Sequence, residues 1–163
     1  HHYFSQDMKT TVISSPLGFI KIEGNNDGIF SLNFTQSALQ SDLIPTELQE
    51  VVVQLQEYFS GTRKEFTIKI APRGTEFQHK VWNLLQQIPH GKSISYSQLS
   101  EQYGDPKAIR SVASANGKNP ILIIIPCHRV ISKDGGLGGF SAEIWRKEWL
   151  LNHEQNILQE QLF

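Results

Sequence analysis

Ser95-Tyr-Ser-Gln-Leu-Ser-Glu-Gln-Tyr-Gly-Asp-Pro-Lys-Ala-Ile-Arg-Ser-Val-Ala-Ser-Ala-Asn-Gly117 is the stretch from which the architecture is read. A short helix is expected from Ser95 to Tyr103, closed by Gly104. Asp105-Pro106 is then a strong start signal, an N-cap with proline at the first helical position, and the helix it opens should run to Gly117. Two short helices joined by a Gly-Asp turn outline a helix-turn-helix. The second carries Lys107 and Arg110 near its N-terminal end, where a recognition helix meets DNA. Ser111, Ala113, Ser114 and Ala115 keep that helix slim. Packing between helices explains slim residues equally well, so the stretch by itself leaves DNA binding open.

Downstream lies Ile121-Leu-Ile-Ile-Ile-Pro-Cys-His-Arg-Val130, which holds the single cysteine of the chain. A free cysteine after five aliphatic residues reads as a small buried hydrophobe. Against that, proline restricts the backbone before it, and an imidazole and a guanidinium follow at once. Such neighbours favour thiolate, the nucleophilic form. Glu154, beside His153, is an acid that could orient an imidazole, as the third member of a nucleophilic triad does. One cysteine and scattered histidines match no zinc spacing, so no metal is expected. Gly135-Gly-Leu-Gly-Gly139 lacks the Lys-Ser/Thr of a phosphate-binding loop and reads as a mobile or close-packed loop. A last helix, about 142–153, presents Ile144, Trp145, Trp149, Leu150 and Leu151, with Arg146 and Lys147 on the other face.

Upstream, Thr75-Glu-Phe-Gln78 fits a capping box, followed by an apolar face of Phe77, Val81, Leu84, Leu85 and Ile88 that stops at Pro89-His-Gly91. Ala71-Pro-Arg-Gly74 is a plausible linker, which places one domain at 8–72 and a second at 73–163. The first domain reads as an antiparallel meander through Thr10–Ile13, Phe19–Ile22 and Ile29–Phe34. A helix capped by Thr46 should follow and end at Gly61, with another strand at Phe66–Ile70. Residues 1–7, ahead of Met8, look like a tag remnant.

The chain has 163 residues, 39% of them hydrophobic and 19% charged, ordinary for a soluble globular protein. No apolar run approaches the roughly 20 residues that span a membrane, and a lone thiol suits a reducing cytoplasm. Residues 8–72 carry five Lys/Arg against seven Asp/Glu, while 73–163 carry ten against eight, a swing from −2 to +2. Lys107, Arg110, Lys118, Arg129 and Lys133 follow one another with no acid among them. A solvated basic face accounts for that run as well as a nucleic-acid footprint does.

Ile125-Pro-Cys-His-Arg-Val130 resembles the active-site motif of the O6-alkylguanine-DNA alkyltransferases. The likeness continues through Gly74–Gln78, Val81-Trp82, Ile88–Gly91, Ile94–Tyr96, Pro106–Ala108, Arg110–Val112, Gly117–Pro120 and Lys147–Glu154. The first 72 residues match only in layout. The resemblance implies an α/β chain of the α+β kind, a small antiparallel sheet with a helix joined to a mostly helical domain with a winged helix-turn-helix. It implies a suicide DNA-repair protein, a methylated-DNA–protein-cysteine S-methyltransferase, needing no cofactor. Its substrate would be double-stranded DNA containing O6-alkylguanine, with O4-methylthymine a further candidate, and it would act as a monomer away from membranes.

By the same resemblance, Cys127 accepts the alkyl group, His128 deprotonates it through a water, and Glu154 holds the imidazole. Tyr96 crowds the phosphate of the flipped nucleotide and protonates the leaving guanine, while Asn119 braces the turn. Arg110 fills the gap left by the base, and Ser95, Tyr96, Lys107, Ala108, Ser111 and Arg129 are further expected DNA contacts. Pro126, Val130, Phe140, Ser141 and Ala142 would line the pocket. Two departures bear on substrate range: Phe140 stands where tyrosine is usual, and Ala142-Glu143 replaces a common Gly-Gly. They predict poorer acceptance of bulky alkyl groups. The zinc ligands of some animal members have no counterpart here. A lesion-binding protein of the alkyltransferase-like group would lack the cysteine. A Cys-His hydrolase would keep nucleophile and base far apart in sequence and leave Arg110 and Tyr96 without a role.

Overall fold

The computed structural model describes residues 7–37 and 43–162, with side chains described as far as 155. All of the expected tag remnant except Asp7 lies outside the described residues. The chain divides into two compact units, His1–Arg73 and Gly74–Phe163. Among the described residues, no helix is long and apolar enough to cross a membrane.

In the first unit, β1 (Lys9–Ser15), β2 (Gly18–Asn25) and β3 (Gly28–Thr35) form an antiparallel sheet in chain order. Side chains of a strand alternate between faces, and Ile20, Ile22, Ile29 and Leu32 are buried. Helix α1 (Thr46–Ser60) packs on β1 and β2 and contributes Leu48, Val51, Val52, Leu55 and Tyr58 to the core. Each such side chain stabilises the unit by roughly 1.5–3 kcal/mol.

Two details differ from expectation. Thr46 is the first helical residue and not the cap; Pro45 holds the N-cap position, and its carbonyl accepts from Leu48 N–H at 2.9 Å. Phe66–Ile70 makes only an isolated parallel bridge between Ile70 and Ile29. Ile29 N–H donates to Lys69 O at 3.0 Å and Ala71 N–H to Ile29 O at 2.8 Å, while nearer Phe66 a helix side chain takes over: Thr67 N–H donates to Gln54 Oε1 at 2.9 Å, and Gln54 Nε2 donates to Thr67 Oγ1 at 2.8 Å. Gln54 is buried, so both ends of its amide are satisfied where water is excluded.

The second unit begins with α2 (Glu76–Leu85), whose capping box joins Thr75 and Gln78. A second box, between Ser95 and Gln98, starts α3 (Tyr96–Tyr103). Gly104 ends α3 at φ 108°, a conformation that a side chain disfavours. Asp105 then accepts from Lys107 N–H at 2.9 Å and caps a 3₁₀ turn, Pro106–Ala108, ahead of α4 (Ile109–Gly117). The single helix expected from Pro106 therefore opens as a tighter turn, because Ala108 sits at ψ 17°.

Helices α2, α3 and α4 pack on one another through Val81, Trp82, Leu85, Leu99, Val112 and Ala115. Trp82 Nε1 donates to Ala115 O at 2.9 Å, which satisfies the one polar atom of that large buried side chain. Strands β4 (Ile94–Ser95) and β5 (Val130–Ile131) pair in parallel, Ile94 with Val130 and Ser95 with Ile131. This ladder ties the start of the helix-turn-helix to the residues just after the cysteine.

The last helix, α5 (Ile144–Leu162), buries Leu150 and Leu151 as expected, but the rest of its buried face differs. Lys147, Leu150, Leu151 and Glu154 are buried, while Ile144 and Trp145 are exposed. Positions 147, 150, 151 and 154 follow the three and four residue spacing of one helical stripe. Hydrophobicity pointed elsewhere because both ends of the stripe carry charge, and each charge finds partners inside the unit.

Candidate active site

The aliphatic run before Cys127 is a knot of tight turns. Ile125 N–H donates to Ile121 O at 3.0 Å, Ile124 N–H to Leu122 O at 2.8 Å, and Cys127 N–H to Ile125 O at 2.8 Å. Ile123 takes φ 72°, a left-handed conformation that costs a β-branched residue roughly 1–3 kcal/mol. Burial of Ile121, Leu122, Ile123 and Ile125 offsets that cost. Asn119 closes the knot: its Nδ2 donates to Ile125 O at 2.7 Å and its Oδ1 accepts from Ile121 N–H at 2.9 Å. The hydrophobic run is thus the anchor of a rigid turn that presents Cys127, His128 and Arg129 as a 3₁₀ segment.

Cys127 is 2% exposed. Burial pushes its thiol up to about 11, against the opposing pull of the Asn119 hydrogen bond and the Lys147 ammonium. The cysteine is therefore a thiol at neutral pH, and only a coupled proton transfer makes it nucleophilic.

His128 is fully buried, with Nε2 2.7 Å from Glu154 Oε2. Arg129 locks the same carboxylate, Nε to Oε1 at 2.8 Å and Nη2 to Oε2 at 3.0 Å, and its Nη1 donates to Ile88 O at 2.7 Å. Burial would raise the Glu154 carboxyl, but His128 and Arg129 hold it below the ordinary carboxylate range. For His128 burial is the largest effect and lowers its pKa, with Arg129 and Lys147 adding to it against the pull of Glu154. Arg129 already balances the carboxylate, so the imidazole stays neutral and donates a hydrogen bond from Nε2–H to Glu154. Its Nδ1 is buried with no hydrogen-bond partner among the described residues. That lone pair is free to take a proton.

Lys147 was expected on the outer face of the last helix and is instead fully buried. Its ammonium donates to Val130 O and to Gly139 O at 2.9 Å, tying β5 to the end of the glycine loop. Burial lowers it to about 8, and Cys127, once ionised, opposes that shift. The ammonium also lies 5.9 Å from the centre of the Tyr96 ring. The one sequence signal for it was its place seven residues before Glu154, on the same side of a helix. Burial and Cys127 both raise the Tyr96 hydroxyl, so it keeps its proton at neutral pH. The glycine loop closes on that ring: at Gly138, φ 71°, a Cβ would lie 3.1 Å from Tyr96 Cε2. This is close packing and not a phosphate cradle.

The other expected site residues divide. Pro126, Val130 and Ala142 are buried, Phe140 is half-buried and Ser141 is exposed. Glu143 sits at φ 77°, a left-handed conformation that glycine adopts without strain, and its carboxylate accepts from Arg146 Nη1 and Trp145 Nε1, each at 3.2 Å. On the helix-turn-helix, Lys107, Arg110 and Ser111 are exposed, and Ser95 and Ala108 half-buried. Arg129 is a correction. It was expected to meet DNA, but its guanidinium is buried and spent on Glu154 and Ile88, which leaves Lys107, Arg110, Lys118 and Lys133 exposed. Among the described residues no group of three or more His, Cys, Asp or Glu is placed to hold a metal ion.

Residues 76–156 match the DNA-binding domain of 6-O-methylguanine DNA methyltransferase, and residues 8–72 match that protein's ribonuclease-like domain. The chain belongs to the 6-O-methylguanine DNA methyltransferase family. A methylated-DNA–protein-cysteine methyltransferase of Methanosarcina barkeri is 42% identical over 154 residues, covering 91% of this chain and 98% of the relative. One of Mycobacterium tuberculosis is 38% identical over 149 residues, 88% of this chain and 90% of the relative. The crystal structure of Mycobacterium tuberculosis OGT in complex with DNA superposes with a TM-score of 0.82 at 38% identity, covering 91% of this chain and 93% of that one.

The family assignment sharpens a test of the site's proton inventory. Below about pH 6.5 an unfolded histidine binds a proton that buried His128 resists, so the unfolded state holds more protons and stability is lost as pH is lowered. Glu154 adds to the loss below about pH 4.3, where an unfolded glutamate is protonated and the native one is not. Urea midpoints are expected to drop between pH 7 and pH 5, and His128→Asn to flatten that limb. A limb of the same steepness in the variant would mean that His128 is charged in the native protein.

Proposed function

We propose that this chain repairs DNA by moving the alkyl group of an O6-alkylguanine onto Cys127 Sγ, once per molecule. The observation that carries this is the open Nδ1 of a buried neutral imidazole, next in the chain to the sole cysteine, with Nε2 committed to Glu154. Holding the thiol near 11 makes thiolate formation at pH 7 cost roughly 5 kcal/mol. The thiol is therefore quiet until a substrate is in place.

As the base enters, His128 accepts the thiol proton through a water, and Lys147 and Asn119 stabilise the charge left on sulfur. Sγ attacks the alkyl carbon and the carbon–O6 bond breaks, its electron pair staying with guanine. The Tyr96 hydroxyl protonates guanine at N3, and the proton taken by His128 restores it, so the thiol proton ends on the base. The thioether has no leaving path, which makes the protein a reagent consumed in one reaction. No cofactor takes part, and one copy acting in the cytoplasm meets each lesion.

A guanine inside a duplex cannot reach a cysteine that is 2% exposed, so the nucleotide must leave the stack, at a cost of a few kcal/mol. Helix α4 would enter the minor groove, with Arg110 filling the vacated space. Ser95, Lys107, Ala108 and Ser111 would contact the strand beside it, and Phe140, Ser141 and Ala142 would border the extruded base. Arg110→Ala is expected to slow repair of O6-methylguanine in duplex DNA by about tenfold or more while leaving reaction with free O6-benzylguanine unchanged, because only the duplex needs its gap filled. Single-turnover rates on the two substrates measure this. Equal losses on both would remove Arg110 from that role.

A further inference from the structure

Five large hydrophobic side chains are exposed among the described residues: Leu43, Val53, Ile109, Ile144 and Trp145. Ile109 stands apart by position. It is 39% exposed, opens α4, and lies between Lys107 and Arg110, both exposed. From there to Lys133 the chain holds no acid. The nearest acid before it, Asp105, is turned onto Lys107 N–H as a cap, so an apolar side chain flanked by two exposed cations is well placed for a polyanion that also offers apolar edges. Isoleucine is moreover stiff at χ1 in a helix, so it loses little freedom when it is inserted.

We propose that Ile109 is an apolar wedge that enters the minor groove beside Arg110 and packs against sugar and base edges as the duplex opens. Apolar side chains that partly unstack a base step serve this purpose in minor-groove proteins. The wedge presupposes the DNA-repair function proposed above, and it divides the work of α4 in two. Arg110 supplies charge and fills the gap, whereas Ile109 supplies surface that leaves water only in the complex.

That division is measurable. Removing a phosphate-facing cation lowers the salt dependence of binding, whereas removing an uncharged wedge weakens binding equally at every salt concentration. The full-length chain and its Ile109→Ser and Ile109→Leu variants are compared on a duplex containing one O6-methylguanine, over a range of salt. Ile109→Ser is expected to bind about tenfold more weakly with an unchanged salt slope, and to repair the duplex correspondingly slowly at subsaturating DNA. Its reaction with free O6-benzylguanine should match the unmodified chain, and Ile109→Leu should keep most of the affinity. Duplex binding by Ile109→Ser equal to that of the unmodified chain, or a reduced salt slope, overturns the wedge while the repair function stands. An unmodified chain that takes no alkyl group from the duplex overturns both.

Discussion

Cys127→Ser is expected to abolish alkyl transfer, by roughly a thousandfold or more, while DNA binding persists. The reason lies in the proton inventory of the site. The cysteine is already a poor acid here, held near 11 by burial, and reacts only because sulfur becomes a strong nucleophile once its proton is taken. A serine hydroxyl in the same place starts from a far higher pKa, and Lys147, Asn119 and the open Nδ1 of His128 cannot close that gap. Serine fits the space without strain, so the effect on folding should be small.

The measurement is the mass of the intact protein after incubation with an oligonucleotide carrying one O6-methylguanine, followed by mapping of the modified peptide. The unmodified chain should gain one methyl in place of one proton, on the peptide holding Cys127, and stop at one equivalent. The serine variant should gain nothing. A methyl found on another residue, or repair continuing past one equivalent, would sink the proposed function, and turnover would point to a hydrolase.

Glu154→Ala is expected to destabilise the second unit by roughly 3–5 kcal/mol, an effect on folding before it is an effect on chemistry. One buried carboxylate accepts from Arg129 twice, from His128 and from Gly91 N–H. Deleting it leaves a buried guanidinium that keeps its bond to Ile88 O and loses its counter-charge. Domains are stable by about 5–15 kcal/mol in total, so such a loss removes much of the margin. Glu154→Gln should fall between, since an amide oxygen still accepts from His128 but carries no charge for Arg129. Urea midpoints rank the three proteins, and single-turnover alkylation under conditions where each remains folded separates the two effects. An alanine variant with an unchanged midpoint would mean that Arg129 finds another partner, and Glu154 would then be left with the orientation of His128 as its whole role.

The local features of this protein are written in short spans of sequence. Thr75 with Gln78, and the closure of α3 at Gly104, could be read because each depends on residues within a few positions of one another. The meander of β1 to β3 was legible for the same reason, as alternation and turn residues act locally. The proposed nucleophile also comes from a short span, since a single cysteine followed by histidine and arginine leaves few candidates.

What the sequence could not decide was where long side chains spend their charge. Arg129 looked like part of a basic run and is the buried partner of Glu154. Lys147 looked like a surface lysine and ties two backbone carbonyls beside Cys127. Phe66–Ile70 looked like a strand, yet it meets β3 only at Ile29, and Gln54 from α1 takes the Thr67 N–H. In each case the partner lies at least ten residues away or on another element, and a charged or polar group can be buried only when such a partner satisfies it. The chain by itself determined most of the helices and the β1–β3 meander, because propensity and capping act over a turn or two. Tertiary structure alone decided which charges lie inside, because the free energy of a buried charge depends on neighbours that only the folded chain brings together.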